Sequence, residues 1–201
     1  MDAASRMKEV LGHPPRIEPL AQDELGAREW EVILRLRETI DFPRDAPVSP
    51  IFRTLCRHPD FFLTFLEPGI QFFSVSALTE RDRELAILRT GWLCGAPFEF
   101  GEHVGRARRI GMTSEEIERV TQGSAAAGWD ERDAAVLRAV EELHADAMIA
   151  DATWAVLARH MDERQLIELP ILIGHYHLAA FVQNSLRFAL NPHNRDGLHA
   201  R

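Results

Sequence analysis

The sequence predicts an all-α fold, a single-domain helical bundle of about eight or nine helices. Three observations predict it. No segment alternates apolar and polar residues for long enough to demand a strand. Apolar residues recur at helical spacing in stretch after stretch. Helix starts are marked by Thr and Asp in capping positions.

Residues 1–20 are polar with paired prolines and read as an N-terminal arm, packed on a neighbour. Asp23 to Ile40 has helical spacing at Leu25, Trp30, Ile33, Leu34 and Leu36. Phe42-Pro43 to Ser49-Pro50 is a proline-punctuated loop. Ile51 to Arg57 reads as a short helix, and Pro59 sits just inside a helix that runs to about Val75. Thr79-x-x-Asp82 and Thr113-x-x-Glu116 have the form of capping boxes. Asp130 caps a helix whose stripe is Ala134, Leu137, Val140, Leu143, His144 and Ala147. Asp151 and Asp162 open the last two helices, and Pro170 with Gly174 predicts a kink in the final one. The main domain is placed at 21–190 and a C-terminal tail at 191–201.

Composition narrows the function classes. The 201 residues are 46% hydrophobic and 27% charged, values of a water-soluble globular chain. A net charge of -8 with no basic block argues against nucleic acid and anionic membrane surfaces as partners. Arg106, Arg108 and Arg109 are the densest basic cluster and read as a solvated helix face. Cys56 and Cys94 are far apart and in no ligand motif, so a reducing cytoplasm is expected. No signal peptide is apparent at the N-terminus. Leu166–Leu190 is apolar but interrupted by Glu168, two histidines, Gln183 and Arg187, which suits a buried helix rather than a membrane span.

The chemistry concentrates between Glu84 and His103. An apolar helix ends at Cys94, Gly95-Ala96-Pro97 breaks it, and a second helix opens with Glu99 and His103 four residues apart. That spacing puts carboxylate and imidazole on one face. The tight break predicts a helical hairpin that brings Glu84 toward them. Glu84, among apolar neighbours, is either half of an ion pair with Arg81, Arg89 or an arginine elsewhere, or a site carboxylate. Glu99 and His103 are either an ordinary helical pair or an acid–base dyad, in which the carboxylate raises and orients the imidazole. Phe98 and Phe100 flank Glu99 and would supply a dry wall. Cys94 reads as a small buried residue rather than a nucleophile. His175 and His177 point about 200° apart on a helix and cannot face one site together. Glu99 and His103 could supply two metal ligands, but no motif supplies a third, so no metal is expected. Tyr176 and one of those histidines either line a pocket or belong to the core. His144 reads as a core or subunit-interface histidine.

Several blocks together resemble the carboxymuconolactone decarboxylase family, which includes the alkyl hydroperoxidase D proteins. They are Phe52-Arg-Thr-Leu-Cys-Arg-His-Pro59, Arg81-Asp-Arg-Glu-Leu-Ala-Ile-Leu-Arg89, Glu99 with His103, Arg138-Ala-Val-Glu-Glu-Leu-His144, and Glu168 to Tyr176 with Asn184. The peroxidase branch carries Cys-x-x-Cys where this chain has Ala96 and Glu99, so the resemblance is to a branch without redox chemistry. Glu84 matches the family's Glu nineteen residues before its His, part of the proton relay in the peroxidase branch. The aromatic pair that brackets the family's Glu is often tyrosine then tryptophan, whereas here both are phenylalanine. The resemblance implies an alkyl hydroperoxidase D-like bundle around a central hairpin, assembled as a homo-oligomer, a trimer or hexamer. It implies a cofactor-free lyase or isomerase acting on a small carboxylated lactone or enolisable acid. His103 would then exchange the proton, with Glu99 as its orienting partner and Glu84 as a second acid or base. Arg89 would hold the substrate carboxylate, with Phe98, Phe100, Tyr176 and His175 lining the pocket. A thiol-dependent peroxidase and a non-catalytic small-molecule-binding oligomer are the alternatives.

Overall fold

The computed structural model describes residues 1–39, 44–191 and 194. These contain ten α-helices and one 3-10 turn, and no strand among the described residues. In chain order the helices are α1 (Ala3–Leu11), α2 (Ala27–Thr39), α3 (Pro50–Leu55), α4 (Pro59–Ser74) and α5 (Glu80–Leu93). They continue with α6 (Pro97–Arg109), α7 (Ser114–Gln122), α8 (Glu131–Asp146), α9 (Asp151–His160) and α10 (Glu163–Leu186). The extra helix relative to the sequence reading is α1, within the segment read as an arm. Asp2 caps it by accepting from Ser5 N–H at 2.9 Å, and Met7 and Val10 are buried. Only short apolar spacing marks it in the sequence. Phe42 and Pro43 of the expected loop, and most of the expected tail beyond Asn191, lie outside the described residues.

Most predicted starts are present, with two physical differences. Thr113 and Glu116 form a reciprocal capping box. Thr79 caps α5 by accepting from Asp82 N–H, but Asp82 does not reach back to the Thr79 backbone. Its carboxylate is held by Arg132 instead, through bonds of 2.9 and 2.6 Å. Asp151 is the first helical residue of α9 rather than its cap, and Ala150 precedes it without a side-chain bond. Asp130 and Asp162 cap as expected. α10 runs unbroken through Pro170 and Gly174.

α5 is the central element. Every residue from Asp82 to Gly91 is buried. Its apolar positions Leu85, Ala86, Ile87 and Leu88 are fully enclosed by α6, α8 and α10. The turn into α6 depends on two glycines. Gly95 has φ +56°, and a Cβ there would meet Arg6 Cβ at 2.6 Å. Gly91 lets the backbone of Phe100 come within 3.3 Å of where its Cβ would be. Pro97 then starts α6 where its missing N–H costs nothing.

A second apolar cluster joins α2, α3 and α4 through Val32, Ile33, Val48, Cys56 and Phe62. The site lies between this layer and the main core. By length and composition α10 could cross a membrane. In this fold one face, Leu169, Leu172, Ile173, Tyr176, Ala180 and Gln183, is packed inside the protein.

The α5–α8 contact rests on ion pairs. Asp82 is 1% exposed and depends on Arg132, while Arg81 pairs with Asp133 at 2.7 Å and Glu116 at 2.6 Å. Arg132→Ala leaves the Asp82 carboxylate buried with only the Thr79 hydroxyl. It should cost about 2 kcal/mol or more, read as a lower denaturant midpoint with an unchanged slope.

Candidate functional site

The hairpin brings Glu84, Glu99 and His103 into contact. His103 is 4% exposed, and its ring lies between two carboxylates. Nδ1 is 2.7 Å from Glu84 Oε2, and Nε2 is 3.0 Å from Glu99 Oε1. Glu99 reaches His103 because they are one helical turn apart, whereas Glu84 reaches it only through the fold-back of α5 on α6. The second Glu99 oxygen accepts from Gln183 Nε2 on α10. Gln183 Oε1 is buried without a partner among the described residues.

Burial alone would push the His103 imidazole down, but Glu84 and Glu99 outweigh it and carry it up to about 9. Burial likewise raises Glu99, and His103 outweighs it, so the Glu99 carboxyl is held below its ordinary range. At neutral pH His103 is therefore an imidazolium that donates one N–H to Glu84 and one to Glu99. Tyr176 stands edge-on to His103 at 5.3 Å, and burial drives its phenol well above its ordinary value.

Glu99, His103 and Gln183 open onto a cavity of about 620 Å³ between α3, α4, α6 and α10. Its walls are largely apolar: Phe52, Phe65, Leu66, Phe73, Phe98 and Tyr176. Glu84 is behind His103 and does not reach this surface. His175 also lines the cavity, between Phe65 and Phe72, and burial lowers its basicity.

Two residues expected at the site are elsewhere. Arg89 points to α7 and α8, donating to Glu141 at 3.0 Å and to the carbonyls of Val120 and Thr121. Phe100 is a core residue against Trp92 and does not line the cavity, because it lies two residues, about 200° around α6, from Phe98. Neither Arg81 nor Arg89 partners Glu84, whose nearest guanidinium is Arg83 at 3.7 Å.

Among the cavity residues not singled out for the site from sequence are Arg106, Gln183 and Phe73. Arg106, read there as part of a solvated face, lines the cavity half-buried. Its guanidinium stacks 4.3 Å from the Phe73 ring centre, to which Arg83 also comes within 4.6 Å, and it forms no ion pair among the described residues. The signal existed, since 99, 103 and 106 follow the i, i+4, i+7 rule of one helix face. Gln183 follows the same rule relative to Tyr176. Phe73 carried no such signal, because α4 is apolar on most sides.

The linkage between protonation and stability has a definite sign. His103 is raised above its ordinary 6.5, so its contribution is complete below about pH 6.5 and is lost as pH climbs through about 9. Glu99 is lowered, so its contribution holds above the ordinary carboxylate range and fades on acidification. Thermal midpoints should therefore fall from neutral pH toward pH 9. His103→Gln should flatten that alkaline fall. Equal alkaline losses in both proteins would show that His103 is not charged in the folded state.

Residues 59–142 match the sequence profile of the carboxymuconolactone decarboxylase family. No curated protein matches the chain in sequence. Among solved structures, a peroxidase-related protein with an alkylhydroperoxidase AhpD core from Ralstonia eutropha superposes with a TM-score of 0.72 at 18% identity. That alignment covers 90% of this chain and 95% of the other. The debrominase Bmp8 superposes with a TM-score of 0.72 at 14% identity, over 91% of this chain and 96% of the other. A peroxidase-related protein from a Silicibacter species gives 0.72 at 16% identity, over 89% and 94%. At these identities the structural likeness speaks for the fold, which is that of the AhpD-like proteins. The match to the carboxymuconolactone decarboxylase family is thus carried by residues 59–142, the segment that holds Glu84, Glu99 and His103.

Proposed function

We propose that the protein is a cofactor-independent lyase or isomerase that moves a proton on a small carboxylated lactone or enolisable acid. The observation that carries this reading is the carboxylate–imidazolium–carboxylate chain ending on an apolar cavity with an arginine in its wall. Both ring nitrogens of His103 are engaged, so Glu99 is the group that meets the substrate and His103 is the proton store behind it. Glu84 holds the imidazole and balances its charge. This reverses the roles expected for Glu99 and His103 from sequence alone.

In a decarboxylation, Arg106 would pair with the substrate carboxylate, a role expected of Arg89 from the sequence. The bond from ring carbon to carboxylate breaks, carbon dioxide leaves, and the electron pair passes into the conjugated carbonyl. His103 passes its Nε2 proton to the Glu99 carboxylate, and Glu99 delivers that proton to carbon. Water restores the starting state. An isomerisation uses the same relay, with proton removal at one carbon and return at another. The apolar wall weakens carboxylate solvation and favours charge loss. The unpartnered Gln183 Oε1 suits a substrate hydroxyl or N–H. The debrominase fold is also known in complex with 2,3,4-tribromopyrrole, a small planar ring of the kind such a cavity admits.

The thiol peroxidase reading finds little support. Burial pushes both Cys56 and Cys94 up to about 11, and neither lines the cavity. A reducing cytoplasm suits two free thiols.

We also propose a homo-oligomer, a trimer or hexamer. Ile167, Ile171, Leu178 and Phe181 form an exposed apolar stripe on the outer face of α10, each between 47% and 64% exposed. Light scattering should exceed the 22.8 kDa of one chain, and a monomer at micromolar concentration would refute this.

Thermal-shift screening against small carboxylated lactones and enolisable acids should yield a ligand that then serves as substrate. With it, Glu99→Gln and His103→Gln should each lower turnover on the order of a hundredfold or more. Arg106→Ala should act mainly on KM. Full turnover in Glu99→Gln would overturn the relay.

A further inference from the structure

α10 has a second polar face, two residues out of phase with the cavity. His175 and Tyr176 face the cavity, while His177 turns to the opposite side of the helix. There it meets His144, near the C-terminal end of α8, and Cys94, the C-cap of α5. The three side chains come from three helices and lie far apart in sequence. Their ligating atoms, two imidazole nitrogens and one thiol sulfur, are all within 4.8 Å of one another. His144 Nδ1 is 3.0 Å from His177 Nε2.

The arrangement is ordered for ligation. His177 Nδ1–H donates to the Ile173 carbonyl at 2.9 Å, which fixes the tautomer and leaves the Nε2 lone pair aimed at the cluster. Cys94 is anchored in the same region, because its carbonyl accepts from Asn184 Nδ2 of α10 at 2.9 Å. A tetrahedral zinc ion holds two imidazole nitrogens about 3.3 Å apart, and nitrogen and sulfur about 3.6 Å apart. The cluster reaches that geometry by side-chain rotation of a few tenths of an ångström to about one ångström. A mixed nitrogen–thiolate set selects a borderline or soft d-block dication over magnesium or calcium.

We propose that Cys94, His144 and His177 form a binding site for a thiophilic divalent metal, Zn²⁺ first, separate from the cavity and unconnected with its acid–base relay. The site takes three protein ligands, and the exposure of His144 leaves the fourth position to water. Binding converts the thiol to thiolate with release of one proton to solvent. The ion ties the end of α5 to α8 and the middle of α10. Without it, His144 Nδ1–H donates to His177 Nε2, and the cluster is a simple hydrogen-bonded pair beside a thiol.

The test uses the full chain, stripped with a chelator and titrated with Zn²⁺ against a chromogenic competitor. One ion per chain is expected. Co²⁺ substituted for Zn²⁺ should give a thiolate-to-metal charge-transfer band and visible bands of tetrahedral intensity. Cys94→Ser should abolish the charge-transfer band. His144→Ala and His177→Ala should weaken binding at least tenfold, and Cys56→Ala should leave it unchanged. A second measurement needs no variant: Zn²⁺ should slow alkylation of Cys94 in the unmodified protein, read by peptide mass. Saturating Zn²⁺ should also raise the thermal midpoint. Absence of stoichiometric binding, a cobalt spectrum without the thiolate band, or alkylation of Cys94 at the same rate with and without Zn²⁺ would overturn the proposal.

Discussion

The structure depends on the burial of charge in α5. A helix enclosed along Asp82–Gly91 would ordinarily be apolar all round, yet this one carries Asp82, Arg83, Glu84 and Arg89. A lone buried charge costs several kcal/mol, so each must find a partner on a neighbouring helix. Asp82 takes Arg132 of α8, and Arg89 takes Glu141 of α8 and two carbonyls at the end of α7. Arg83 donates to the Phe72 carbonyl of α4, and Glu84 takes His103 of α6. The partners radiate in different directions, so the charges set the azimuth and depth of the helices around α5. Apolar packing alone tolerates sliding by a methylene or two; a set of paired buried charges does not.

The site is a product of the same constraint. Glu84 is enclosed, so an imidazole that becomes cationic beside it gains from both pairing and charge. Glu99 adds a second carboxylate on the cavity side, and Gln183 holds its outer oxygen. The result is a charged chain with a buried end and an accessible end. It sits at the seam between the main core and the α2–α4 layer, where packing is interrupted by a cavity. Arg106 extends the polar row on α6, braced by Phe73.

The two faces of α10 illustrate how one helix serves separate purposes. Successive residues differ by about 100°, so His175 and Tyr176 border the cavity while His177 joins Cys94 and His144 on the far side. The outer stripe of Ile167, Ile171, Leu178 and Phe181 occupies a third direction. A single apolar-looking segment thus carries core, cavity, cluster and exposed surface.

Helix type and most boundaries were legible in the sequence, because capping by Thr113, Asp130 and Asp162 and apolar periodicity are local signals. The Glu84–Glu99–His103 trio was legible too, since two of the three share a helix turn and the third follows from the tight break at Gly95-Ala96-Pro97. α1 was missed because its burial is decided by what α6 and Gly95 offer it, not by its own polar composition. Arg89 and Arg106 exchange places relative to the sequence expectation for the same kind of reason. Both are arginines on helices, and only the packing of α7 and α8 sends one to Glu141 while α4 turns the other to the cavity wall. The Cys94–His144–His177 cluster is wholly tertiary. Its members are 33 or more residues apart, and no local period relates positions on three different helices. Local chemistry writes helices and neighbours within a turn; which distant side chains meet is set by the one arrangement that leaves no charge of α5 alone.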